Sequence, residues 1–308
     1  MARDKALQAP LGTGTSYAMS EVLTLAVVGD VHLHFNQRDV EYFNNAGYAA
    51  LIFTGDLINY RGSELTKVTD AIQQLRVPSF IIPGNHDCGN VFQLVAELFQ
   101  SDFLRAVTSI GHTKYEDALR RTIGSVCFTG YSSHPLCDGD VELVAVRPYS
   151  MGGPRLSFGP HLKRHFNVAS LEESMAKLET VIDQTTATDL IFLGHNGPSG
   201  LGTSRSDIWG CDFKKDEGDF GDPDFEHAIR YARAQGKRVR AVIGGHMHRW
   251  LKGGGERCWN MEREGTLYVN AANVPRIRKG ATHDRHHHIE LAIGDHVTCT
   301  EHWVDISH

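Results

Sequence analysis

Five short apolar runs in this chain each end at Gly or Pro-Gly and are followed at once by side chains able to hold metal ions. Residues 22–28 lead into Gly29-Asp30-Val31-His32, and residues 49–54 into Gly55-Asp56. Residues 79–82 lead into Gly84-Asn85-His86-Asp87, Asp189–Leu193 into Gly194-His195, and residues 240–243 into Gly244-Gly245-His246-Met247-His248. Runs this short, β-branched and bounded by Gly or Pro read as strands, as do residues 125–129 and Thr266–Asn270. Between them lie stretches with helical spacing at 63–76, 91–107, 170–184 and 224–235, with Ser63 as an N-cap and Pro223 at a helix start. Strands alternating with helices predict parallel pairing with helices outside. In such sheets ligands collect beyond the carboxyl ends of the strands, so five strand ends converge on one crevice.

Singly, these pieces say little. Asp-x-His is ordinarily structural, and Gly-Asp recurs as a plain turn at Gly139, Gly218, Gly221 and Gly294. Gly-Asn-His-Asp is rarer, and His246 and His248, two apart beyond a buried strand, share a face. It is the set of five, in order and each at a strand end, that points to a site.

That series resembles the signature of the calcineurin-like metallophosphoesterases and extends from Asp30 to His248. The resemblance implies an α/β fold of two mixed β-sheets packed as a sandwich and flanked by helices, with two metal ions in the crevice. Carried over residue by residue, it puts Asp30, His32 and His248 on one metal, Asn85, His195 and His246 on the other, and Asp56 between both. It also makes His86 the acid that protonates the leaving oxygen, with Asp87 orienting its ring; the structural alternative is that His86 only supports a ligand. Residues 147–158, 195–202 and 218–222 further resemble a cyanobacterial and plant-plastid branch of the family.

The residue types suit that chemistry on their own terms. One aspartate offers an oxygen to each of two cations, and a paired metal site stabilises both attacking and leaving oxygens of an in-line displacement at phosphorus. Imidazoles mixed with carboxylates select Mn, Fe or Zn over Mg or Ca. Water on such cations ionises near neutral pH, so a metal-bridging hydroxide serves as nucleophile without Ser or Cys. The leading expectation is a phosphomonoesterase acting on a small phosphorylated substrate. The alternatives are a phosphodiesterase for cyclic nucleotides or nucleic acid, and a catalytically silent scaffold, which the intact ligand set argues against.

The remainder of the chain bounds the answer. Its 308 residues carry a net charge of −6, so no overall basic field favours nucleic acid. Mean hydropathy is −0.29 and no apolar run approaches the ~20 residues of a membrane span. The six cysteines are scattered without a CxxC pair, which predicts a reducing compartment: the cytoplasm, or the plastid stroma in a plant. Cys127 and Cys299 read as buried apolar groups, and Cys88 as a thiol beside the site. Residues 1–20 read as a flexible segment before a single domain over 21–308, with long loops at 132–168 and 194–222 rimming the crevice. In the second loop Asp207, Asp212, Asp216, Glu217, Asp219 and Asp222 outnumber Arg205, Lys214 and Lys215, a negative rim that repels polyanions. His34 extends the Asp30-x-His32 alternation, and Arg164, Arg249 and Arg276 are candidates to grip phosphate. The His286-His287-His288 tract enters a terminal antiparallel hairpin with a two-residue Gly294-Asp295 turn, where neighbours face opposite ways, which argues against a metal tract.

Overall fold

The computed structural model describes residues 22–59, 65–88, 119–213 and 218–307. Its first strand, β1 (Leu23–Val28), is apolar on both faces, which only a strand covered on both sides tolerates. β1 runs parallel to β2 (Ala50–Phe53), β2 to β3 (Ser79–Ile81), and β3 to β4 (Cys127–Phe128). Beyond β1 the sheet turns antiparallel, through β12 (His283–Ile293), which carries β11 (Ile277–Arg278) and β13 (Val297–Ser307). The second sheet runs β5 (Ser132–Leu136), β6 (Val141–Ala145), β7 (Asp189–Leu193), β8 (Arg238–Gly244), β10 (Thr266–Asn270) and β9 (Asn260–Arg263). Its four middle strands are parallel and its two edges antiparallel.

Three apolar layers hold the sheets together. Leu25, Val27 and Ile52 of the first sheet interlock with Leu143, Ile191, Leu193 and Ile243 of the second. Outside the first sheet, α1 (Gln37–Asn45) and α2 (Leu65–Ile72) add Val40, Phe43, Val68 and Ile72. Outside the second, α3 (Gly159–Phe166), α4 (Leu171–Asp183) and α5 (Pro223–Ala234) add Leu162, Leu178, Ile182, Phe225 and Ile229. The expected sandwich of two mixed, helix-flanked sheets is the observed fold. Ser170 caps α4 by accepting from Glu173 N at 3.2 Å.

Several expectations differ in detail. Residues 132–168 hold β5, β6 and α3 rather than one long loop. β6 is buried throughout, but Glu142 interrupts its apolar run, and that carboxylate is needed by the backbone N–H groups of Thr186 (2.6 Å) and Ala187 (2.8 Å). Pro135 stands in an edge strand, where a missing N–H costs nothing. The terminal hairpin closes with three residues, since Ile293 pairs with Val297. The helix expected over 63–76 ends at Ile72, and its proposed cap Ser63 lies outside the described residues, as does the stretch 91–107. Cys127 and Cys299 are half-buried, Cys211 is buried, and Cys127, Cys211, Cys258 and Cys299 form no disulfide.

Candidate metal centre

Parallel strands β1, β2, β7 and β8 point their carboxyl ends the same way, and β3 joins them. The turns beyond these ends carry Asp30 and His32, Asp56, His195, His246 and His248, and Asn85 to Asp87. Glycine is obligatory where the turns crowd. A Cβ on Gly84 would stand 2.1 Å from Asp56 Oδ1, and one on Gly245 2.2 Å from Asp30 Oδ1. His32, Asp56 and His246 hold left-handed backbone (φ +42°, +49° and +65°), a conformation non-glycine residues keep only where their surroundings enforce it.

The side chains converge. Three sets have ligand atoms mutually within 4.8 Å: Asp30, His32 and His248; His32, Asp56 and His86; Asp56, His195 and His246. Asp56 reaches both ends, with Oδ2 3.6 Å from His32 Nε2 and Oδ1 3.5 Å from His195 Nε2. Asn85 Oδ1 lies 3.0 Å from His195 Nε2, and His248 Nε2 lies 3.5 Å from Asp30 Oδ2. Every carboxylate and imidazole expected to bind metal is therefore in one crevice.

The rings are oriented from behind. His195 Nδ1 meets the Thr54 carbonyl at 2.6 Å, His246 Nε2 the Met151 carbonyl at 3.1 Å, and His32 Nδ1 the Asn59 Oδ1 at 2.8 Å. A neutral imidazole that donates to such an acceptor leaves its other nitrogen as a bare lone pair, the arrangement metal-binding histidines adopt. His195 Nε2 then faces Asn85 Oδ1, lone pair to lone pair, and a cation reconciles them. Behind the carboxylates, Thr54 Oγ1 donates to Asp30 (3.0 Å) and His86 N to Asp56 Oδ1 (2.9 Å).

Electrostatics without cations are unfavourable for charge here. Burial, opposed by His32 and reinforced by Asp30, pushes Asp56 up to about 7, and burial with the nearby Asp56 pushes Asp87 up to about 7. Burial pushes His246 down to about 3 and, with His32 and His195, His86 down to about 2. Asp30 is held low against its burial, chiefly by its hydrogen bond from His248. Cations bound beside Asp56 would oppose its upward shift and hold it ionised. The residues present thus fit a dinuclear centre.

Other expectations move. Asp87 does not grip a ring: its oxygens accept the N–H groups of Leu57 (2.8 Å) and Gly84 (2.9 Å), so it shapes the turn that carries Asn85 and His86. Arg276 is buried against Asp39 (2.9 Å), and Arg249 is spent on Glu256 and Glu301. Arg164 is exposed on α3 and His34 belongs to none of the three sets. Nothing is described of the Cys88 side chain. Of the carboxylates expected to form a negative rim, two meet arginines and two accept only backbone N–H groups, which leave their charge in place. Asp207 accepts from Ser204 N (2.8 Å), Asp212 pairs with Arg257 (3.1 Å), Asp219 accepts from Gly221 N (2.8 Å), and Asp222 is buried against Arg147 (2.9 Å). Lys214, Lys215, Asp216 and Glu217 lie outside the described residues.

Sequence reasoning missed the supports. Met151 is held by a buried latch: Ser150 Oγ donates to Asp222 Oδ1 (2.6 Å) and Gly152 N donates to Ser150 (3.0 Å). Arg147 clamps Asp222 and, at 2.7 Å, Asp224, and Asn196 Nδ2 donates to Phe220 O (2.9 Å). The signal was present, since 147–158, 195–202 and 218–222 are the three segments of the branch resemblance, and they meet here.

The family's sequence model matches residues 23–250, and the chain belongs to the calcineurin-like phosphoesterases. It is a metal-dependent phosphoesterase of a family that uses a dinuclear metal centre. Solved structures with a similar fold include TT1561 of Thermus thermophilus, at 10% identity, covering 91% of this chain and 99% of that one, TM-score 0.49. A dimetal phosphatase from Danio rerio is 13% identical, covering 90% and 98%, TM-score 0.48. No curated protein matches the chain in sequence. No helix among the described residues is long and apolar enough to cross a membrane.

Proposed function

We propose that the chain, with residues 21–308 acting as one unit, is a small-molecule phosphomonoesterase. One metal is held by Asp30, His32 and His248, the other by Asn85, His195 and His246, and Asp56 bridges them. The observation that carries this reading is the convergence of inward nitrogens of His32 and His195 on Asp56, each ring fixed by an oxygen behind it. Bound there, two Mn, Fe or Zn ions supply an ionised water near neutral pH and neutralise phosphoryl charge.

His86 is the general acid. Its Nε2 lies 3.8 Å from Asp56 Oδ2 and its side chain is 24% exposed, so it borders the crevice on the open side. Burial with His32 and His195 nearby holds its pKa low, which favours passing a proton on to the leaving oxygen. Asp87 keeps it in place through the turn.

Diester cleavage is the second reading. It gains from the pairing of Asp212 with Arg257 and of Asp222 with Arg147, which weakens a repulsive rim. A screen of phosphate mono- and diesters on metal-reconstituted protein tests the assignment. The expected result is the highest kcat/KM on a small monoester; a cyclic nucleotide or single-stranded DNA outperforming every monoester overturns it.

A further inference from the structure

Beside the crevice stands a stack of aromatic rings and guanidinium groups that the metal chemistry does not use. β12 pairs antiparallel with β1 in a register that sets Ile289 against Val27. Residues of β12 before Ile289 therefore run past the carboxyl end of β1, on the side where Asp30 and His32 lie. β11 is paired to that overhang, Ile277 to His286 and Arg278 to Arg285, and β13 brings Trp303 opposite His287. Arg276, just before β11, donates to the His34 carbonyl at 2.6 Å, which ties β11 to the turn holding His32. From the other direction, Trp250 follows the ligand His248 by two residues. The two approaches meet: the Arg278 guanidinium carbon lies 5.6 Å from the Trp250 ring centre and 4.2 Å from that of Trp303.

Two further facts mark this stack as a surface for a ligand. Trp250 is 45% exposed, one of few large apolar side chains left open to solvent. Arg278 is exposed and, among the described residues, forms no ion pair. Its neighbours differ: Arg249 is neutralised by Glu256 and Glu301, Arg276 by Asp39, and Arg285 faces Asp305. Contact with the two indoles steadies the Arg278 fork at little cost in solvation, with no carboxylate on its N–H groups among the described residues. A rigid indole face next to an uncommitted guanidinium suits a planar ring carrying anionic groups.

We propose that Trp250 and Arg278 form a substrate subsite that selects phosphate esters bearing a planar heteroaromatic ring, the chemistry of a nucleoside phosphate. The ring stacks on the open face of Trp250, and Arg278 donates to charge beyond the scissile phosphate. This rests on the phosphoesterase reading of the crevice, which holds the phosphate itself.

The test compares adenosine 5′-monophosphate with ribose 5-phosphate, which has an anomeric hydroxyl in place of the base, on metal-loaded full-length protein. Both kcat/KM and calorimetric Kd are measured for the wild type and for Trp250→Ala, Trp250→Phe and Arg278→Gln. Stacking predicts that the wild type prefers the nucleotide by roughly 5- to 100-fold. Trp250→Ala brings that ratio close to one, and Trp250→Phe restores most of it. Arg278→Gln weakens a nucleoside diphosphate more than the monophosphate. A wild-type ratio near one, or one that Trp250→Ala leaves intact, overturns the subsite. A single-stranded oligonucleotide turned over faster than either ester overturns the small-molecule class. Turnover of neither ester counts against the monoesterase reading instead, and the ratio of Kd values still decides the subsite.

Discussion

Two histidine-rich regions lie within one molecule, and their partners are arranged in opposite ways. In the crevice, His32 and His195 are each tied on one ring nitrogen to an oxygen and turn the other toward Asp56. In β12, three consecutive histidines reach three separate partners: His286 goes to Asp39 (2.8 Å), His287 to Glu301 (2.8 Å) and His288 to Tyr48 (2.9 Å). Strand alternation sends His287 to the opposite face from His286 and His288, and those two, though on one face, are held apart by different partners, Asp39 and Tyr48. Histidine number is therefore no guide to a metal site. Convergence of free nitrogens is, and it comes from turns at several strand ends rather than from one strand.

Disturbing each region separately sharpens that contrast, and the effects fall in order. Asp56→Asn touches both halves of the centre, so it should lower metal content and activity more than loss of any single crevice histidine. Elemental analysis and turnover check this; a variant that kept both metals and its rate would remove Asp56 from the bridge.

His86→Ala should keep its metals and lose about 10²–10⁴ in turnover, the usual contribution of general acid catalysis. The loss should shrink for nitrophenyl esters, whose leaving group needs little protonation. An equal loss across leaving groups would take His86 out of the acid role.

In the other region the expected change is in stability. Asp39 is buried between Arg276 (2.9 Å), His286 (2.8 Å) and the N–H of Asn36 (2.9 Å). Asp39→Asn strands a buried guanidinium and should cost about 3–5 kcal/mol in urea unfolding, with metal stoichiometry unchanged. A variant that unfolds like the wild type but loses metal would join the two regions that the structure separates.

The smallest effect is a pH dependence. The hydrogen bond from His287 is the largest influence on Glu301, whose pKa is held down to about 2, with Arg249 and Asn273 also facing it. A carboxylate with a depressed folded pKa stabilises the fold above its unfolded pKa of about 4.3 and loses that contribution as pH falls toward the folded value. Glu301→Gln should therefore melt below the wild type at pH 7, and the gap should close between pH 4 and 2. A gap constant with pH would assign the loss to packing.

Much of this was legible in the sequence because the crevice is built from local signals, a strand, a glycine and a polar turn, repeated five times. The alternation predicted parallel strands with helices outside, and the sandwich of two mixed sheets came only with the family resemblance. What escaped depends on contacts between distant segments. β6 is hidden by Glu142, whose charge reads as a break until Thr186 and Ala187 are seen donating to it. α1 has few inward apolar groups, and its signal is the capping box between Asn36 and Asp39, with Asp39 also serving Arg276. Arg249 and Arg276 looked like phosphate ligands because the sequence shows charge but not its partner. Arg278, which the sequence did not single out, is the one of these three with no carboxylate among the described residues.

Anomalous diffraction from crystals of the manganese-loaded protein tests the central claim most directly. The account predicts two peaks, one against Asp30, His32 and His248 and one against Asn85, His195 and His246, with Asp56 touching both and no peak at His286, His287 or His288. A single peak, or one seated on the β12 histidines, would contradict it.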